Sequence, residues 1–242
     1  GKHVFCEKAI TVNAQQFDEV AQLAKEKHLI LMEGFTLYHM PIYQKMQDMI
    51  KTGKFGDIKM IQINFGSLKE YNPQNRFFNK DLAGGALLDI GGYATAFAIS
   101  FMGEYPESIN TTVKFFETGV DEESGIILKN SKGQMAVMSL SMRAKQPKRG
   151  LVSGTKGYFE INQYPRGTEA DITYTQSAHE ESYDKVTAGD ADQALEYEVT
   201  DFQKYIEQGH DEGELEKSRM IAHILTSIRT AWGMTYPFDN EE

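Results

Sequence analysis

Three side chains in this sequence have the types and placement for proton-transfer chemistry: Lys8, Asp89 and Tyr93. Asp89 and Tyr93 lie four residues apart within Gly84 to Gly103, GGALLDIGGYATAFAISFMG. On a helix that spacing stacks both side chains on one face, with Cβ atoms roughly 5–6 Å apart. Leu87, Leu88, Ile90, Ala94, Phe97, Ala98 and Phe101 cover most of the remaining circumference, which predicts a helix buried on nearly all sides. A buried carboxylate and phenol then form either one satisfied core hydrogen bond or part of a site. Lys8 closes the run HVFCEK at the C-terminal end of a predicted strand, the edge where open α/β sheets bind ligands. The alternative for Lys8 is a solvated strand end. An ammonium beside a phenol favours the phenolate and lowers its pKa, which suits proton exchange with a hydroxyl or carbonyl substrate. That is the acid/base half of a hydride transfer.

The elements that must hold these groups follow from periodicity. His3 to Lys8 reads as a strand, Asn13 caps a helix with Gln16 in a capping box, and Leu29 to Phe35 is a second strand. Phe17, Val20, Ala21 and Ala24 give the helix one apolar face. Such a βαβ unit implies a parallel pair with a right-handed crossover. Two parallel strands do not stand alone, so they are expected to end a larger doubly wound domain and the chain is expected to be a fragment. Pro41 opens a further helix that Gly53 ends. Ile58 to Gly66 is a strand, followed by a polar loop holding Arg76 and Asn79 just before the glycine pair. Beyond Gly103 come strands at Ser108 to Phe116, Ser124 to Lys129, Gln134 to Met142, Gly150 to Ser153, Gly157 to Ile161 and Asp171 to Thr175. NSKG, Asn130 to Gly133, is a hairpin turn. Met135 to Met142 is apolar on both sides, which predicts a sheet covered by helices on one face and by a partner subunit on the other. GLVSGTKG, Gly150 to Gly157, lacks the context of a phosphate loop and reads as a turn between strands. Helices at Ala194 to Gln208 and Leu215 to Trp232 close the chain, and the acidic DNEE tail is expected to be solvated. The fold class is α+β: a large, mainly antiparallel open sheet with helices on one face, preceded by a residual βαβ piece.

Composition narrows the function. Of 242 residues, 35 are acidic and 25 basic, a net charge of −10, and the sequence has no basic cluster to neutralise a phosphate backbone. Nucleic acid is not an expected partner. No apolar run near 18 residues and no signal-peptide core is evident, so no membrane partner is expected. Cys6 has no second cysteine to pair with, which fits a reducing cytoplasm. The six histidines lack metal-ligand spacing, and neither G-x-S-x-G nor G-x-G-x-x-G is present, so no metal is expected and no dinucleotide pyrophosphate site lies in this chain.

Three motifs in order then carry a family resemblance. GKHVFCEKAI resembles the GKHVLCEKP segment of the Gfo/Idh/MocA oxidoreductases, EGFTLYHMP is similar to their E-A-F-x-x-R-x-x-P segment, and AGGALLDIGGY matches their G-G-G-A-L-x-D-I-G-x-[HY] signature. Tyr93, where many members have histidine, looks like the branch of glucose-fructose oxidoreductase and dimeric dihydrodiol dehydrogenase. The resemblance implies residues 1–36 as the end of an NAD(P)-binding Rossmann domain and residues 37–242 as a substrate-binding and oligomerisation domain, often paired through its open sheet. It implies Lys8 near nicotinamide and substrate, Glu7 on the nicotinamide ribose, Tyr93 as general acid/base and Asp89 orienting the site. His39 and Arg76 are candidate substrate contacts. The activity implied is hydride transfer between NAD or NADP and a sugar, polyol or cyclic diol, as a homodimer or higher homo-oligomer. These residues alone are expected to be inactive, since the cofactor's main binding domain lies elsewhere. Two positions depart from the pattern: Ala9 replaces the proline of E-K-P, and Tyr38 the motif arginine. The alternative is a non-catalytic dimerisation or binding module with a vestigial site.

Overall fold

A computed structural model describes residues 1–239 of the chain. Strand β1 (Val4–Glu7) pairs in parallel with β2 (Leu31–Gly34), and helix α1 (Ala14–Glu26) crosses between them. Asn13 accepts the Gln16 N–H as the cap of α1. Helix α2 (Pro41–Lys51) starts on its proline and leads to β3 (Ile58–Gly66). Next come α3 (Gly92–Met102), β4 (Ser108–Phe115), β5 (Asp121–Lys129), β6 (Met135–Ser141), β7 (Arg149–Gly154), β8 (Gly157–Asn162), β9 (Glu169–Ser177), β10 (Glu180–Thr187), α4 (Ala194–Gln208) and α5 (Glu214–Ala231).

The eight later strands form one sheet in the order β10-β9-β8-β7-β3-β6-β5-β4. It is antiparallel except at its centre, where β3 runs parallel to β6 and antiparallel to β7. One face packs on α3, whose Ala94, Phe97, Ala98 and Phe101 are buried. On β6, Ala136, Met138 and Leu140 point to that core, while Val137 and its neighbour Ile127 on β5 are 37% and 40% exposed. Among the described residues, the helix side of the sheet is covered and the Val137 and Ile127 side is not. The Gly150 to Gly157 stretch is the β7–β8 hairpin, and Asn130 turns β5 into β6.

Four expectations need correction. The glycine-opened helix begins as a π turn, Leu87–Gly91, before continuing as α3. Strand β10, EESYDKVT, was not foreseen, because it is an edge strand whose charges alternate with no apolar face. The stretch Lys80–Met102 has, by length and composition, the apolarity of a membrane span, but its helical turns are interrupted at Ala83 to Gly85 and 78% of its apolar window is buried inside the protein. Asp239 in the tail is not solvated: Arg229 grips it with two hydrogen bonds. The other tail residues lie outside the described residues.

Candidate active site

The site is assembled where the end of β1 meets the π turn. Beyond Glu7 the Lys8–Ala9 peptide is cis, at the position where the motif carries proline. Lys8 Nζ donates to the backbone carbonyl of Asp89 at 2.5 Å and lies 3.7 Å from its Oδ1. It also stands 4.8 Å from the centroid of the Tyr93 ring. Burial pulls the Lys8 ammonium below its ordinary value, while Asp89 pulls it back up. Arg76 reaches Asp89 Oδ1 at 3.2 Å from the solvent side. A cavity of about 200 Å³ opens beside them, lined by Lys8, Arg76, Gly84, Gly85 and Asp89.

The turn that carries Asp89 is fastened from behind. The buried Asp121 Oδ2, from the start of β5, accepts the Leu87 N–H at 2.7 Å, and the Tyr236 phenol donates to the Gly84 carbonyl at 2.6 Å. Gly85 has φ +117, and a Cβ there would come within 2.1 Å of Asp121 Oδ1, so both backbone and space require glycine. A π turn widens the helix by one residue, and such turns occur often at functional sites. Here the widened turn sets Asp89 toward Lys8, with Tyr93 following on α3.

Tyr93 is half-buried between the rings of Phe35 and Phe65, with centroids at 5.9 and 6.4 Å. Burial pushes its phenol up to about 12; the Thr36 hydroxyl and the Arg166 charge oppose this, while Glu7 and Glu198 reinforce it. The sequence expectation was a lowered value through Lys8. The geometry explains the difference: Lys8 stands over the ring face and is committed to Asp89.

Of the other expected residues, Arg76 lines the cavity, and Glu7 sits exposed at the end of β1 with its charge acting on Lys8 and Tyr93. His39, the other expected substrate contact, does not line this cavity. Its side chain is fully buried, with Nδ1 2.7 Å from Asp201 Oδ2 and Nε2 3.5 Å from Glu214 Oε2, tying α4 to α5. Tyr38, in place of the motif arginine, is buried with its hydroxyl unpartnered. Four polar residues were missed. Thr36 lies beside both the Tyr93 phenol and the buried Glu198. Neither oxygen of Glu198 has a well-aligned hydrogen bond. Arg166 faces the same pair, and Asp121 anchors the turn. Thr36 stands inside the EGFTLYHMP motif, whereas Glu198, Arg166 and Asp121 belong to no local motif and only the fold reveals them. Glu33, which opens the second motif, accepts the Ile10 N–H and ties down the segment after Lys8. Among the described residues no group of three or more His, Cys, Asp or Glu side chains could hold a metal.

A two-strand parallel unit feeding an open mixed sheet, with a lysine, an aspartate and a tyrosine at their junction, defines a class. Residues 43–160 match the family described as GFO/IDH/MocA C-terminal domain, and the chain belongs to the Gfo/Idh/MocA oxidoreductases. It is similar to trans-1,2-dihydrobenzene-1,2-diol dehydrogenase of Xenopus tropicalis, 32% identical over 246 residues that cover 98% of this chain and 73% of that protein. The human enzyme of that name is 30% identical over 248 residues, with 99% and 73% covered. Among solved structures, levoglucosan dehydrogenase in complex with NADH and levoglucosan shares the fold at TM-score 0.84 and 19% identity, with 96% of this chain and 72% of that chain covered. KijD10, a 3-ketoreductase from Actinomadura kijaniata, shares it at TM-score 0.79 and 23% identity, with 95% and 70% covered.

Proposed function

We propose that these residues form the substrate-binding and proton-transfer part of an NAD(P)-dependent dehydrogenase acting on a sugar, polyol or cyclic diol. The observation that carries this reading is the junction of Lys8, Asp89 and Tyr93, with Lys8 and Asp89 lining an open cavity. The relatives named for oxidation of a dihydrodiol, and the neighbours solved with NADH or NADP, support the reaction class. The half-buried Lys8 at the end of a parallel strand fits the nicotinamide end of such a cofactor, with Glu7 beside it for the ribose. The pyrophosphate has no glycine-rich cradle in this chain, and the reading assigns it to the rest of the nucleotide-binding domain. Alone, residues 1–242 are then expected to turn nothing over.

When bound, the nicotinamide supplies the hydride donor or acceptor. The chain's own residues manage the proton. With its phenol held near 12, Tyr93 is protonated at neutral pH and is ready to donate to a carbonyl oxygen as reduction proceeds. In the oxidative direction the deprotonated phenolate is the form that takes the hydroxyl proton, and the positive charge of Arg166 favours that form. Asp89 holds Lys8 through its carbonyl and carboxylate, and so sets where the ammonium stands.

The exposed Ile127 and Val137 on the free sheet face favour a homo-oligomer built through that face, which the catalytic reading accommodates. The unpaired Cys6 suits a reducing, cytoplasmic setting. In the full-length protein, Tyr93→Phe is expected to lower turnover of sugars, polyols or trans-diols by about 10²-fold or more, with the thermal melt unchanged. Near-normal turnover would sink the assignment.

A further inference from the structure

The strand order gathers four cations that are scattered in the sequence. Lys69 follows β3, Lys145 and Lys148 lie between β6 and β7, and Arg166 lies between β8 and β9. Because β3 and β6 run parallel while β7, β8 and β9 alternate, these three loops meet at one end of the sheet. Phe65 on β3 marks that end. Its ring neighbours that of Tyr93, and Lys148 Nζ stands over the same Phe65 ring, 5.1 Å from its centroid. Arg166 acts on Tyr93 and Glu198 from the same side.

The four cations are not balanced by carboxylates. Among the described residues none of them has a carboxylate oxygen within 4.0 Å, although the chain carries a net charge of −10. Lys148 is held below its ordinary value by partial burial and by repulsion from Lys145, Lys69 and Arg166. Neighbouring cations differ in this respect. Arg149 pairs with Glu160, and Arg76 and Lys8 pair with Asp89. The acidic groups that do face Tyr93 are Glu7 and Glu198. Convergence of like charges is unfavourable unless an anion joins them.

We propose that the substrate carries an anionic group, phosphate or carboxylate, and that Lys69, Lys145, Lys148 and Arg166 receive it while Tyr93 meets the reacting oxygen. The placement of the reacting carbon rests on the dehydrogenase reading above; the binding of the anion does not. Charge-assisted hydrogen bonds to lysine and arginine supply the recognition, and the loops' spread allows a sugar ring to lie between anion and phenol.

The test is calorimetric titration of the full-length protein with inorganic phosphate, glucose 6-phosphate, glucuronate and glucose, at low and high salt. At least one sugar anion is expected to bind about tenfold or more tightly than glucose, and to lose that advantage in high salt. Lys148→Gln and Arg166→Gln should each weaken it about tenfold with the melt unchanged. Preference for glucose 6-phosphate or for glucuronate names the anion, and either supports the proposal. Equal binding of all the probes, binding that the two variants leave unmoved, or variants that weaken only NAD(P) would overturn it. Anion binding as expected in a protein whose Tyr93→Phe variant turns over normally removes the dehydrogenase reading and leaves the anion site standing. A Tyr93-dependent dehydrogenase with no anion advantage does the reverse.

Discussion

Replacing Asp121 by asparagine isolates what the buried carboxylate behind the π turn costs and contributes. Asp121 is fully buried, and burial pushes its pKa up to about 7 from an ordinary 3.8, against the stabilising backbone N–H groups of Leu87 and Ala86. The folded state therefore holds a proton that the unfolded chain has released. Stability falls as pH rises from about 4 through about 7 and is level beyond that. Integrated between pH 5 and pH 8, this one group removes about 2–3 kcal/mol. Asparagine keeps an oxygen for the Leu87 N–H and carries no charge at either pH. Urea unfolding of both proteins at pH 5 and pH 8 gives four free energies. The variant should gain about 2–3 kcal/mol on wild type between the two pH values. Glu33, also pushed up to about 7 by burial, affects both proteins alike and cancels. A gap between the proteins that stays constant with pH would refute the reasoning.

Two further substitutions probe the framework. His39→Ala removes a fully buried ring and its hydrogen bond to Asp201 and should cost about 2–4 kcal/mol. It should leave the substrate KM of the full-length enzyme unchanged, and a raised KM would return His39 to the site. Gly150→Ala places a Cβ 2.2 Å from Cζ of Phe97, whose ring is held by Tyr43, Phe101 and Tyr164. About 1–3 kcal/mol should be lost in thermal or urea unfolding, and an unchanged midpoint would show that Phe97 yields.

The βαβ unit, the central helix and most strands were legible because their apolar periodicity is strong and their caps are local: Asn13, Pro41 and Gly103 each mark an end. Lys8, Asp89 and Tyr93 were legible as types at the right spacings. What stayed hidden depends on pairing between distant strands. Asp121 sits 34 residues from the Leu87 N–H it accepts, and no local pattern marks it as a cap. Lys69, Lys148 and Arg166 likewise come together only through the strand order. His39 looked available because it stands in a motif between apolar residues; the carboxylates that enclose it come from α4 and α5, far along the chain.

The position of β3 has a consequence for how the sheet can come together. On one flank β4, β5 and β6 form a meander of successive hairpins, and on the other β7 to β10 form a second. Each flank can grow from contacts between sequence neighbours, with little loop-closure entropy. β3 belongs to neither. It is made first, waits unpaired while the π turn and α3 are made, and finds its partners only in residues 135–154. The central joint of the sheet is thus its most non-local, and non-local pairing is what slows folding. The strand that holds the two meanders together is the first piece of the sheet to be made and the one that waits longest for a neighbour.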